Sequence, residues 1–561
     1  MILNNYLIGI IEDNAGFSAL PRHISNGLVG CTDYLGYPTG ICQNLFANNQ
    51  PLIFIPVSLL AKLIDPILAY NLIVLGGLAL NFFFAFCFFK KIFGRFTAVL
   101  LATILLSCPY LAYQSRSHID LIQFWPVIWF LDTLFLSKSR HKAIFLGLLL
   151  TLIIGISNYL GYFTLLFASI YLVFKFIFSE SKINLIKKSW RDIAKTLVVT
   201  IFLSATFLAP YVKSNFFSSK AQMEENINGK VLSRPFEDFI VFSSRPWYYL
   251  LPSVDNPFFG GLSEQFLNRL SSGENYLTQN YFKAEHSASY LGWVNTILAL
   301  VGIFSLFRSK RSTFVSYRAL LITIIMLILL TMPPVFVLRN VTFYSPSYIL
   351  FEIFPMFRVL ARAGILILFL TLIFTGYGYY ALANLLKSKK IKSLVIRSVL
   401  VTLAVFSVSE FFIPLKVTHI GTPPEVYSYI GATDFLKSPV VIYPYNKANE
   451  ALFWMPTYKQ PLINPKSYEN KPTGFVSENF TNLLNTASGL EAAQHMGAKY
   501  LVYFYVVDKN GGTAFFDSNP QLVRIGDFKE DSPPERMFFK FLQVIEAGSA
   551  TTNSAILYKF R

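Results

Sequence analysis

PILAYNLIVLGGLALNFFFAFCFFKK, residues 66–91, decides the fold. Residues 66–89 carry no charge, and a helix of that length rises far enough to cross a hydrocarbon core about 30 Å thick. The run stops on Lys90 and Lys91, with Arg95 close behind. Nine further apolar runs repeat the pattern at 96–113, 119–136, 143–158, 160–178, 194–212, 288–306, 319–336, 363–386 and 394–413, so about ten spans are expected. The third is interrupted by Pro126 and Asp132 and reads as a tilted or broken helix. The stretch 51–64, ended by Asp65, is too short to span and reads as an interfacial helix.

Composition agrees. The 561 residues are 54% hydrophobic and only 14% charged, against about 25% charged in soluble domains. The net charge of +17 is no nucleic-acid footprint. Residues 414–561 hold 14 Lys and Arg against 13 Asp and Glu, so almost all of the excess falls between the apolar runs. The connections after spans one, three, five, seven and nine contain 21 basic residues and only two acids, Glu180 and Asp192. Basic short loops stay cytoplasmic. The opposite, extracytoplasmic side then receives residues 1–65, the loops 213–287 and 337–362, and the tail from 414.

These bounds define three expected domains: a first loop with its interfacial helix at 1–65, a transmembrane helical domain at 66–413, and an extracytoplasmic α/β domain at 414–561. In the tail, EVYSYIGATDFL and residues 477–496 read as helices, and 440–445, 499–507, 522–528, 541–547 and 555–560 as strands. Cys87 and Cys108 lie in apolar runs and read as small core residues. Cys31 and Cys42 share the first polar segment, where a disulfide and two free thiols are the alternatives. The start has no basic n-region, so no cleavable signal peptide is expected.

Three polar constellations face the extracytoplasmic side. Glu12 and Asp13 are adjacent carboxylates after a short apolar stub; such a pair can hold a divalent cation (Mg or Mn), or one acid can act as general base towards a hydroxyl. The plain alternative is two solvated loop acids. SRSHIDLIQFWP, residues 115–126, brings His118, Asp120 and Gln123 to the head of the third span, where polar groups are costly unless they line a cavity. FPMFRVLARAG, residues 354–364, sets Arg358 and Arg362 one helical turn apart, suiting a lipid-linked phosphate, with interfacial snorkelling as the alternative. Glu285 and His286 add two polar groups just before the seventh span. No zinc motif, P-loop, nucleotide-binding glycine fingerprint or nucleophile elbow is present.

The arrangement resembles the GT-C membrane glycosyltransferases, especially a poorly characterised prokaryotic group with an extracytoplasmic tail. The stretches that carry it are EDN at 12–14, TDYLGYPTG at 32–40, SHIDLIQFWP at 117–126, SRPWYYLLP at 244–252, YLGWVNTILAL at 290–300, FRVLARAG at 357–364, and PPEVYSYI with VVIYPY in the tail. The resemblance implies transfer of a sugar from a polyprenyl-phosphate donor to a glycan, lipid or protein acceptor on the outer face of a prokaryotic plasma membrane. It gives the catalytic role to Asp13, or to Glu12 beside it, and matches Arg358 and Arg362 to the donor phosphate. A second acidic motif falls on Asp120 or Glu285, if on either. The family begins with a full span before its acidic motif; here only MILNNYLIGII precedes it, so that span is expected upstream or lost. Two readings from other classes stay open: a transporter or flippase of a lipid-linked glycan, and a non-catalytic cell-envelope scaffold. Transport is disfavoured because the span interiors hold almost no ionisable residue and no inverted repeat is legible.

Overall fold

The computed structural model describes residues 6–10, 30–32, 37, 41–43, 50–179, 182–216, 236–271, 287–308, 316–338, 341–420, 422–434, 437–464, 477–508, 511–529, 537–539, 544–546 and 554–561. Its helices include α1 (Pro51–Leu63), α2 (Pro66–Phe93), α3 (Arg95–Leu106), α4 (Trp125–Leu136), α5 (Lys142–Ile156), α6 (Asn158–Ile177), α7 (Lys182–Phe216), α8 (Trp293–Arg308), α9 (Tyr317–Leu330), α10 (Gly364–Ser388) and α11 (Ser393–Phe411). Among the described residues, five stretches are long and apolar enough to cross a membrane: Pro66–Phe93, Asn158–Ile177, Ser189–Ala209, Leu360–Ser388 and Ser393–Phe411. The chain is a multi-pass membrane protein built on a helical bundle. At the other five expected spans the helices are apolar but shorter, 12 to 16 residues.

Local chemistry sets the ends of these helices. Asp65 starts α2 by accepting the amides of Ile67 and Leu68 at 2.9 and 3.0 Å, a side-chain cap for donors the helix cannot pair itself. The third expected span begins later than the apolar run suggests. Pro126 sits in the first turn of α4, so residues 115–124 fold as tight turns ahead of it. Asp132, the other interruption, pairs with Lys91 at the opposite end of α2 (2.7 Å). In the middle of the bundle α10 is buried along most of its length. A Cβ at Gly378 would sit 2.0 Å from the Leu298 carbonyl, so α8 and α10 meet backbone to backbone.

Glu410, near the end of α11, is buried and accepts the amides of Trp293 (2.7 Å) and Val294 (3.3 Å) and the Tyr290 hydroxyl. It therefore caps α8 from a neighbouring helix. This explains an intramembrane carboxylate without assigning it chemistry.

Twelve short strands are described: β1 (Tyr6–Ile8), β2 (Gly30–Thr32), β3 (Ile41–Gln43), β4 (Val335–Leu338), β5 (Val341–Tyr344), β6 (Lys416–His419), β7 (Val440–Tyr443), β8 (Tyr500–Tyr503), β9 (Leu522–Phe528), β10 (Met537–Phe539), β11 (Val544–Glu546) and β12 (Ala555–Phe560). The tail holds a mixed sheet of order β7-β8-β12-β9, in which β7 and β8 run parallel and the other pairs antiparallel. The helix expected over 477–496 is two, Ser477–Leu483 and Ala487–His495, with Thr486 capping the second through the Gly489 amide. A helix at Tyr445–Tyr458 and strand β6 fall outside the sequence reading.

The second sheet has the order β1-β6-β11-β10 and joins the two ends of the chain. Tyr6 pairs with His419, Leu7 with Thr418 and Ile8 with Val417. The Thr418 hydroxyl donates to the Gly9 carbonyl, and the Gly9 amide to the Lys416 carbonyl. Asn71 of α2 fixes this strand to the bundle by accepting the Ile8 amide and donating to the Tyr6 carbonyl. The expected first loop and tail thus share one sheet at one end of the bundle.

Candidate functional site

Residues 115–124 are drawn into the protein by Ile119, Leu121 and Ile122, each at most 2% exposed. The same turns bury Ser115, Arg116, Ser117, Asp120 and Gln123. Buried polar groups of this kind must find partners, and where they find them sorts the segment into three parts.

The first part is a charged cluster. The Asp120 carboxylate is 2% exposed. Its Oδ2 accepts from Gln50 Nε2 (2.9 Å), just ahead of α1, and from the Ser157 hydroxyl (2.8 Å), between α5 and α6. Its Oδ1 is buried and finds no hydrogen-bond partner among the described residues. Burial pushes the Asp120 carboxyl up to about 6, against the lowering effect of the Ser157 bond and the Arg362 charge.

Arg362 reaches the cluster from the short turn Leu360–Ala363 at the head of α10. Its Nη2 donates to His118 Nε2 at 3.2 Å, and its guanidinium carbon lies 4.6 Å from the centre of the Tyr159 ring. Because a guanidinium can only donate, Nε2 of His118 accepts, and the ring proton sits on Nδ1, facing Ser117 Oγ at 2.7 Å. Arg362 Nε and the Tyr110 hydroxyl are also buried without a hydrogen-bond partner among the described residues.

The second part is an ion-paired latch, in which Arg116 Nε alone of the guanidinium is buried without a hydrogen-bond partner among the described residues. Arg116 donates to Asp255 Oδ2 (3.1 Å) and to the Pro414 carbonyl (3.4 Å), with its guanidinium over the Tyr113 ring. Tyr113 donates to the same Asp255 oxygen at 2.6 Å, and Ser253 and Ser287 continue the network. Three segments distant in sequence, at 113–116, 253–255 and 414, are latched here. On its other side the Arg116 carbonyl accepts the Ile10 amide at 2.9 Å.

The third part is Gln123. It donates to the Ile73 and Ile119 carbonyls, accepts the Trp125 indole N–H, and fills the space a Cβ at Gly77 would take. Its bonds are those of a helix-packing residue.

His118 and Asp120 of one constellation expected from the sequence and Arg362 of another therefore come together. Arg358 does not join them. Its Nη1 pairs with Asp238 Oδ2 at 2.5 Å and its guanidinium lies over Phe242, so the two arginines, expected on one helical face, engage different partners. Glu12, Asp13, Glu285 and His286 lie outside the described residues. Ile10 is the last described residue before the acidic pair, and its amide is bonded two residues from His118. Cys31 and Cys42 lie in strands β2 and β3.

Gln50, Ser157 and Tyr159 are the members of the cluster that sequence reasoning missed. Each sits at or beside the start of an apolar helix, Gln50 just before α1, Ser157 just before α6 and Tyr159 in its first turn, and that position is their only signal. Among the described residues no group of three or more His, Cys, Asp and Glu side chains could hold a metal ion. What the cluster offers chemically is a positive charge, a histidine nitrogen facing it, and, among the described residues, an arginine Nε and a carboxylate oxygen without hydrogen-bond partners.

No protein-family model and no curated protein sequence matches the chain. Solved structures give distant likenesses. The Archaeoglobus fulgidus oligosaccharyltransferase in complex with zinc and sulfate aligns with a TM-score of 0.48 at 13% identity, over 89% of this chain and 64% of that one. The same enzyme tethered to an acceptor peptide containing the NVT sequon aligns at 0.48 and 12% identity, over 89% and 65%. ArnT from Cupriavidus metallidurans bound to undecaprenyl phosphate aligns at 0.41 and 10% identity, over 99% and 94%. The chain spans about two thirds of the length of the oligosaccharyltransferase structures it matches.

Proposed function

We propose that the protein is a membrane glycosyltransferase that moves a sugar from a polyprenyl-phosphate donor to an acceptor on the extracytoplasmic face of a prokaryotic plasma membrane. The observation that carries this reading is the convergence of Arg362, His118 and Asp120 where α10 meets the turns at 115–124, with Arg362 Nε and Asp120 Oδ1 both left open among the described residues. A half-buried arginine with an open N–H suits an anionic oxygen. The surrounding apolar helices suit the prenyl chain that such an oxygen would carry.

In this reading Asp13, or Glu12 beside it, takes the proton of the acceptor hydroxyl as its oxygen attacks the anomeric carbon. The bond from that carbon to the phosphate oxygen breaks, and its electron pair leaves on the polyprenyl phosphate. Arg362 stabilises the charge that develops there, with His118 and Tyr159 holding the guanidinium in place. Asp120 and Gln50 orient the turn that carries His118. A divalent cation held by Glu12 and Asp13 would assist the same deprotonation.

The test is transfer of labelled sugar from a polyprenyl-phosphate donor in membranes containing the protein. Asp13→Asn is expected to abolish it. Undiminished transfer by a folded Asp13→Asn variant overturns the assignment of the base.

A further inference from the structure

Strands β2 and β3 pair antiparallel, with Gly30 opposite Gln43, Cys31 opposite Cys42 and Thr32 opposite Ile41. Directly opposite residues of an antiparallel pair share one face of the ribbon, with Cα atoms about 4.5–5.5 Å apart. A disulfide bridges Cα separations of about 4.4–6.8 Å. The register therefore sets Cys31 and Cys42 opposite each other, at a Cα spacing that a disulfide spans. Cys87 and Cys108, by contrast, are free thiols within the bundle.

The segment between the two strands also touches the tail. The Tyr37 amide donates to the Leu462 carbonyl at 3.3 Å, and Tyr37 packs against the hydrophobic core that holds Val441, Leu501 and Ile556. The hairpin base that carries Cys31 and Cys42 thus encloses a contact between the first polar segment and the tail.

We propose that Cys31 and Cys42 form a disulfide that staples this hairpin. The bond forms by exchange with an extracytoplasmic thiol oxidoreductase. Its own disulfide takes up the two electrons and two protons and leaves as two thiols, while the Cys31 and Cys42 sulfurs join. Such exchange needs an oxidising compartment, so the bond places residues 30–43 on the extracytoplasmic side. The Tyr37–Leu462 contact and the β1–β6 pairing place the tail there too. None of this depends on the glycosyl-transfer reading.

The experiment quenches intact cells with acid, alkylates the denatured full-length protein without reductant, and cleaves at Lys and Arg. The peptide that follows Arg22 and ends at Lys62 contains both cysteines and no other. It is expected unalkylated and lighter by two hydrogens than the dithiol, gaining two alkyl groups only after reduction. Cys87, on the next peptide, should be alkylated throughout and reports that the reagent reached every thiol. In Cys31→Ser, Cys42 should become alkylated without reductant. Alkylation of both wild-type thiols before reduction, or Cys42 still blocked in Cys31→Ser, overturns the proposal.

Discussion

Two polar clusters flank residue 117, and they differ in what their arginines meet, although Nε of each is buried without a hydrogen-bond partner among the described residues. Around Arg116 the carboxylate of Asp255, the Tyr113 hydroxyl and the Pro414 carbonyl answer the guanidinium, and the network ties distant segments together. Around Arg362 the guanidinium finds a histidine nitrogen and an aromatic face, and the Asp120 carboxylate is bonded to Gln50 and Ser157 instead. An arginine met by a carboxylate and a carbonyl is a structural fastener. One that lacks an anionic hydrogen-bond partner is prepared for an anion from elsewhere. In the proposed function this difference separates what holds the protein together from what would hold its ligand.

The comparison breaks most visibly on Arg362. Arg362→Gln is expected to lower transfer about 10²–10³-fold, the usual effect of removing one preorganised charge-stabilising donor, with protein levels in membranes unchanged. Equal losses from Arg362→Gln and Asp255→Asn would erase the distinction.

Next comes the pH dependence of Asp120. Its carboxyl rises from an ordinary 3.8 to about 6, so between those values the folded protein binds more protons than the unfolded one. Stability conferred by the neutral acid is complete below about 4 and is lost as pH rises to about 6. At about 1.4 kcal/mol per pH unit this amounts to at most about 3 kcal/mol. Thermal unfolding of Asp120→Asn should lack that decline. A decline identical to the wild type would assign it to another group.

The Arg116 cluster should respond more modestly and in stability alone. Asp255→Asn leaves Arg116 without its counter-ion but keeps an acceptor, which costs about 1–2 kcal/mol. Unfolding should shift accordingly while transfer persists. Smallest is Ser157→Ala. The hydroxyl stabilises the Asp120 carboxylate, so its loss should move the Asp120 titration further above 6. A downward movement would contradict the assigned bond.

Much of this architecture was legible in the sequence, because apolar length and charge deficit report membrane helices directly. The span-length helices at Pro66–Phe93, Asn158–Ile177, Leu360–Ser388 and Ser393–Phe411 coincide with expected runs. The late start of α4 is half legible, since Pro126 interrupts the apolar run and is a first-turn residue. The pairing of β1 with β6 was not legible. Each strand is three or four residues long, too short for periodicity, and their partners lie some 400 positions apart.

The site divides in the same way. His118, Asp120 and Arg362 stood out because charge is costly near apolar helices. That Arg362 rather than Arg358 faces His118 depends on Asp238, whose claim on Arg358 spans 120 positions, and no local pattern encodes it. Gln50, Ser157 and Tyr159 are ordinary residues made special only by what they touch.

The central claim is that Arg362 receives the phosphate of a polyprenyl-linked donor. Its most direct measurement is equilibrium binding of polyprenyl phosphate, without sugar, to the full-length protein in lipid nanodiscs, comparing the wild type, Arg362→Gln and Asp255→Asn. Binding should weaken about tenfold or more in Arg362→Gln, a loss of about 1.4 kcal/mol, and match the wild type in Asp255→Asn. Equal affinity in the wild type and Arg362→Gln would contradict the account.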